Sequence, residues 1–199
     1  MSSFRQLMMR SKGGGGTTPR VYRGQEKNSY IKILNTLYYV GQKFTIKMKV
    51  KEDNGATNTD GRLINIQNLR NTRLAQAGRQ LAWLDGVYWV SGLQLTADQT
   101  YWFEFVFSNT SSVTTKVSTD GENFASYNNS LQPMTTYRFA EFYLFGELND
   151  DHWGFKGLIY LDDCKITYMN NGDEVVLFDG ATAVEGVDFE NHNCTLVTE

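Results

Sequence analysis

The chain has 199 residues, of which 21% are charged and 14% aromatic, and a formal net charge of −3. That length holds one substantial domain whose folding buries about 70% of the surface of the unfolded chain, so neither metal nor disulfide staples are required. Its 12 Phe, 11 Tyr and 4 Trp exclude a wholly disordered chain, and no apolar run approaches the roughly 18 residues of a transmembrane helix.

The charge is unevenly spread. Residues 1–24 hold Arg5, Arg10, Lys12, Arg20 and Arg23 and no acid; removing those 5 from 19 bases leaves 14 against 22 acids, a formal −8, in the remainder. Residues 1–16 read as a separate arm. Phe4, Leu7 and Met8 fall at i, i+3 and i+4, one face of a short helix that Ser2 or Ser3 caps. A helix that short is unstable alone, and Gly13 to Gly16 form a flexible tether behind it. The arm is not a secretory signal, because no apolar h-region follows its basic residues. Three roles stay open to it: a loose terminus, an organellar transit peptide, or a docking peptide. In the last, Phe4, Leu7, Met8 and Met9 fill an apolar groove on a partner while Arg5 and Arg10 pair with its acids.

Residues 17–199 then form the body. Six Asx-Gly pairs punctuate it, at Asn54, Asp60, Asp85, Asp120, Asn171 and Asp179, and such pairs supply the positive φ angles of tight turns. Runs of period two lie between them. The spacing predicts strands at 30–34, 44–50, 62–68, 79–84, 87–91, 101–107, 113–119, 136–145, 157–169 and 174–178. In the second of these, Phe44, Ile46, Met48 and Val50 point inward and Thr45, Lys47 and Lys49 outward. Asp85-Gly86 joins the fourth and fifth as a hairpin. Tyr101, Phe103, Phe105 and Phe107 line one face of the sixth; Trp102, Glu104 and Val106 line the other. In the ninth, Ile159 and Leu161 are out of phase with Cys164, Ile166 and Tyr168, and a β-bulge at Asp162-Asp163 would return all five to the core and turn both acids out. No long amphipathic helix follows residue 24. About ten short strands with polar turns predict an all-β, antiparallel two-sheet sandwich.

Three segments carry a resemblance: Tyr101–Phe107 with the strand ending in Ser118-Thr-Asp-Gly121, Phe155-Lys-Gly-Leu-Ile-Tyr-Leu-Asp-Asp-Cys-Lys-Ile166, and Gln42–Val50. Together they resemble a concanavalin A-like, or laminin-G-like, jelly roll. A narrower similarity is to bacteriophage virion proteins that carry such a domain. It rests on Leu161-Asp-Asp-Cys-Lys-Ile166, the following Phe178-Asp-Gly180, the tail Val184–Val197 and the opening Met-Ser-Ser-Phe-Arg-Gln-Leu-Met-Met. The resemblance implies a structural or accessory virion protein, joined through its arm to other virion proteins in a capsid or tail and presenting a surface to a host glycan. A free carbohydrate-binding or adhesion module is the alternative, and a glycan hydrolase the weaker one.

The chemistry legible in the residues is sparse. Retaining glycosidases need two carboxylates about 5–5.5 Å apart, and the E-x-D-x-x-E string of jelly-roll glucanases is absent; Glu104 and Glu141 each lack an acid two residues away. No catalytic residue and no cofactor are expected. Asn149, Asp150 and Asp151, with His152, offer oxygens for Ca²⁺, though a solvated loop has the same composition. His192 and Cys194 are too few for zinc. The laminin-G resemblance implies a late disulfide between Cys164 and Cys194; two cysteines equally suit a reduced protein, and the core position of Cys164 favours a buried free thiol. Trp83, Tyr88, Trp89 and Trp153 lie by turns and are the candidate contacts for sugar faces or a protein partner, with core packing the competing role. The acidic body gives no support for nucleic-acid binding.

Overall fold

The structure, a computed structural model, describes residues 18–25, 28–39, 43–53, 62–67, 70–75, 80–83, 88–108, 112–130, 138–146 and 155–198. The arm (1–16), the turns at Asn54, Asp60 and Asp85, and the segment Asn149–Trp153 lie outside them. Among the described residues there is no helix, and sixteen strands form.

These are β1 (Val21–Gly24), β2 (Tyr30–Ile33), β3 (Leu37–Tyr39), β4 (Phe44–Glu52), β5 (Ile64–Gln67), β6 (Arg70–Ala75), β7 (Gln80–Trp83) and β8 (Tyr88–Gln94), then β9 (Thr100–Phe107), β10 (Ser112–Ser118), β11 (Ala125–Ser130), β12 (Arg138–Leu144), β13 (Gly157–Asn170), β14 (Asp173–Asp179), β15 (Phe189–His192) and β16 (Thr195–Val197). They pair antiparallel in two sheets. Sheet A runs β11-β10-β9-β4-β13-β1-β16, with β14 also on β13; sheet B runs β15-β2-β12-β5-β6-β7-β8, with β3 also on β12. The expected two-sheet sandwich is what forms.

Alternation decides which residues close the core. The predicted inward sets Phe44, Ile46, Met48, Val50 and Tyr101, Phe103, Phe105, Phe107 are all buried. They face Ile31, Ile33, Ile64, Ile66, Phe142 and Leu144 of sheet B in one cluster. Phe44 stacks on Phe107 at 4.2 Å and meets Phe142 of the other sheet edge-on at 6.2 Å. Tyr22 and Phe189 make a second edge-on contact between sheets, also 6.2 Å. Each such ring contributes about 1.5–3 kcal/mol through the apolar surface it removes from water.

The phase break in β13 is a bulge at the expected place. Between Tyr160, opposite Lys49, and Lys165, opposite Lys47, five residues advance on β13 against two on β4. The insertion is therefore three residues, odd in number, and an odd insertion swaps faces as a single one would. Ile159, Leu161, Cys164 and Ile166 are buried and Tyr168 packs against the core. Both acids turn outward. Arg20 Nε lies 2.9 Å from Asp162 Oδ1, and the Arg20 backbone N–H donates to Asp162 Oδ2 at 3.1 Å. The same guanidinium donates to the carbonyl oxygens of Gly180 and Ala183. Lys49 Nζ is 3.6 Å from Asp163 Oδ2.

Two details differ from the sequence reading. Arg20 and Arg23 do not belong to a free basic arm: Arg20 holds the bulge and Arg23 pairs with Asp53. That leaves Arg5, Arg10 and Lys12 as the charge of residues 1–16, and a formal −6 for the rest once 3 bases are set aside from a total of −3. The Asx-Gly pairs also divide in role. Asn171 and Gly172, at φ 51° and 95°, form the β13–β14 turn. Gly180 is instead a close approach: a Cβ there would lie 1.7 Å from the Leu161 carbonyl oxygen.

Candidate functional site

The residues that alternate with the core set form the outer face of sheet A, and register arranges them in rows. One row is Tyr160, Lys49, Trp102 and Ser118, on β13, β4, β9 and β10. The next is Lys165, Lys47, Glu104 and Lys116; a third is Thr167, Thr45, Val106 and Thr114. Lys47, Glu104 and Lys116 of the second row and Thr167, Thr45 and Val106 of the third line an open groove of about 480 Å³, with Asp173 and Glu174 among its other residues.

Glu104 is the centre of the middle row. Lys116 Nζ donates to its Oε1 at 3.0 Å, and Lys47 Nζ lies 3.8 Å from Oε2. Its neighbours on the adjacent strands are thus both cations, and its neighbours on its own strand are Trp102 and Val106. Two further acids, Asp173 and Glu174 at the start of β14, line the same groove. Thr167 Oγ1 is 3.5 Å from Glu174 Oε2 on the groove wall. In the first row Lys49 Nζ sits 4.1 Å from the Tyr160 ring centroid and 4.9 Å from that of Trp102, a cation between two aromatic faces. Gly121, at φ 79°, lets the loop after β10 approach Trp102, where a Cβ would come within 3.2 Å of the ring. That loop is tied by Asp120, whose carboxylate accepts from Asn123, Ser118 and Glu122 and is held well below the usual carboxylate range by those bonds. The groove thus offers ammonium donors, carboxylate acceptors and hydroxyls, and the Tyr160 and Trp102 rings lie in the adjoining row.

The residues singled out by sequence are placed elsewhere. Trp83 ends β7 and Tyr88 and Trp89 begin β8, at the far end of sheet B, where Trp83 pairs with Tyr88 and Ala82 with Trp89. Their strands belong to sheet B, whereas the groove is on sheet A. Phe4, Arg5, Leu7, Met8, Met9 and Arg10, and likewise Asn149, Asp150, Asp151, His152 and Trp153, lie outside the described residues. Cys164 and Cys194 are free and buried, as the core position of Cys164 favoured and contrary to the disulfide implied by the laminin-G resemblance. Burial pushes both thiols up, Cys194 to about 12. His192 does not join Cys194 in a metal site: its ring stacks on Tyr30 at 4.3 Å and approaches Glu190 at 3.4 Å. Among the described residues no group of three or more His, Cys, Asp or Glu side chains could hold a metal ion. Sequence reading passed over Trp102, Lys47, Glu104 and Lys116 as a site. Their outward alternation was the available signal; their convergence depends on cross-strand register.

No protein-family model matches the sequence, and no curated protein matches it. Solved structures do. A native heptameric SAP-like pentraxin from Limulus polyphemus superposes with a TM-score of 0.61 over 93% of this chain and 97% of that one, at 11% identity. A Bacteroides ovatus protein named for carbohydrate binding gives 0.56 over 92% of this chain and 60% of that one, at 16% identity. Domains LG4-5 of the mouse laminin α1 chain give 0.51 over 93% and 51%, at 12% identity. Likeness at these identities is likeness of fold, and it agrees with the sheet order and the three sequence segments: the chain is a concanavalin A-like jelly roll.

Proposed function

We propose that this chain is a binding module and not an enzyme: a jelly-roll body that presents the outer face of sheet A to a glycan and joins a larger assembly through residues 1–16. The observation that carries the reading is the Lys47–Glu104–Lys116 row at the floor of the groove. Its carboxylate is bridged by two ammonium groups, an arrangement that suits hydrogen bonding to hydroxyls and favours the ionised form over the protonated one that a general acid needs. Trp102 and Tyr160 add ring faces beside it, of the kind that line saccharide sites. The Bacteroides ovatus neighbour, itself named for carbohydrate binding, points the same way.

For the assembly we propose a bacteriophage particle, the setting implied by the opening residues and the 161–197 tail, with capsid or tail proteins as partners of the arm and a host surface glycan as the ligand. A free carbohydrate-binding module uses the same groove without the arm. The deciding experiment compares the full chain with one lacking residues 1–16, for incorporation into particles and for binding to an array of bacterial surface glycans. The full chain is expected to incorporate and the truncated one to be left behind, with equal glycan binding by both. Truncated chain at full occupancy removes the docking role and leaves the free module. Hydrolysis of an array glycan would instead revive the enzymatic alternative. Trp102→Ala and Lys47→Ala are each expected to weaken glycan binding by about tenfold.

A further inference from the structure

The groove on sheet A mixes its charges, and the mixing is local. Among the described residues that line it, Lys43, Lys47 and Lys116 stand against Glu104, Asp173 and Glu174, so it carries no net charge. Register puts Glu104 directly between Lys47 and Lys116 on β4, β9 and β10. Its side chain is 20% exposed, whereas those of Lys47 and Lys116 are 44% and 36% exposed. The carboxylate is thus more enclosed than the two ammonium groups that flank it. The groove wall repeats the pattern. Met169 donates its backbone N–H to the Lys43 carbonyl oxygen and is paired in register with Glu174, which places a base and an acid on either side of it.

This arrangement discriminates by charge. A carboxylate, sulfate or phosphate drawn to Lys47 and Lys116 comes to rest against Glu104 as well, and an ammonium drawn to Glu104 meets both lysines. Either ligand gives up its own hydration and finds the opposite charge already engaged. A hydroxyl has no such conflict, because it accepts from an ammonium and donates to a carboxylate at once. Thr45 and Thr167 extend the supply of polar partners along the groove. The groove is open, and Lys47, Glu104 and Lys116 all reach solvent, so a ligand has access to each of them.

Given the glycan reading above, on which this rests, we infer that the groove selects uncharged glycans. Glu104 sets the selection: it neutralises the cationic floor that Lys47 and Lys116 would otherwise offer to an acidic sugar.

The test places the full chain on an array of bacterial surface glycans sorted into uncharged, acid-bearing and amine-bearing members, read at about 0.05 M and about 0.5 M NaCl. Binding is expected among the uncharged members, changing by less than about twofold between the two salt concentrations. Glu104→Gln keeps the shape and leaves both lysines unneutralised. It is expected to raise binding of acid-bearing members relative to uncharged ones by about tenfold or more, most strongly at low salt. A preference of the unaltered chain for charged members, or a loss of about tenfold or more with salt, overturns the inference and leaves the glycan reading in place, whether or not Glu104→Gln folds. A Glu104→Gln chain of near-normal Tm that gains nothing for acid-bearing members overturns the role given to Glu104. No binding to any member removes the glycan reading itself, and this inference with it.

Discussion

At Gly180 one added methyl group would be placed 1.7 Å from the Leu161 carbonyl oxygen and 3.0 Å from that of Cys164. Neither is a movable side-chain end, so Gly180→Ala is expected to cost about 3 kcal/mol, at the upper end of ordinary substitutions, read as a lowered Tm. Thr115 is the opposite case: fully buried, with its hydroxyl unpartnered. Thr115→Val removes an unmet polar atom at constant shape and is expected to leave Tm unchanged or raise it. The two thiols and Tyr22, Tyr30 and Tyr143 are all pushed up, chiefly by burial, Tyr143 to about 12. Above about pH 8.5, where a free thiol ionises, the unfolded chain therefore holds fewer protons than the folded one, and stability falls as pH rises toward 12. Denaturant midpoints measured from pH 7 to 11 should decline, and iodoacetamide should label Cys164 and Cys194 only after unfolding.

Elements differ in how far the sequence reveals them. β4 and β9 were legible residue by residue, because one face of each is wholly apolar and the other polar or mixed. The β13 bulge was legible too, since its two halves keep apolar alternation in opposite phases. β11, Ala-Ser-Tyr-Asn-Asn-Ser, was not: it is an exposed edge strand, held by pairing to β10, and has no apolar face to betray it. The candidate groove shows the same limit. Trp102 and Glu104 were seen to face away from the core, but Lys47 and Lys116 come to Glu104 only through a register that folding sets. Asn65, between Ile64 and Ile66, looks like any outward polar residue; its burial is a tertiary fact. Arg20 belongs at this scale, since it fastens the β13 bulge to the Gly180–Ala183 turn. Arg20→Ala is expected to cost about 1–2 kcal/mol, because it removes the guanidinium's bonds to Asp162 and two carbonyls while the backbone N–H at position 20 still donates to Asp162. A double-mutant cycle with Asp162→Ala should return a coupling at the upper end of the ~0–1 kcal/mol of an exposed pair.

For the molecule as a whole, residues 18–198 contain both sheets and the entire described core. Removal of residues 1–16 is therefore expected to change thermal stability by no more than about 0.5 kcal/mol, the range of changes away from packed features. A larger drop would mean that the arm packs on its own body, and its docking role would then need another explanation. Because β1 is paired with β13 and β16, and β2 with β12 and β15, early and late parts of the sequence must meet before either sheet is complete. Folding should be slow for the size, in the milliseconds-to-seconds range of all-β domains.

The pairing of Val21 with Val197 and of Arg23 with Thr195 has a practical consequence. Chain leaving before β1 and chain leaving after β16 emerge side by side from one corner of sheet A. A short peptide can therefore link residue 198 to residue 18, and new ends can be cut at the exposed Asn171-Gly172 turn, with the sandwich expected to fold as a circular permutant. By the same geometry, a load applied between the two original ends would peel β1 from β16 one hydrogen bond at a time, whereas a load borne through one end alone would leave that seam unstressed.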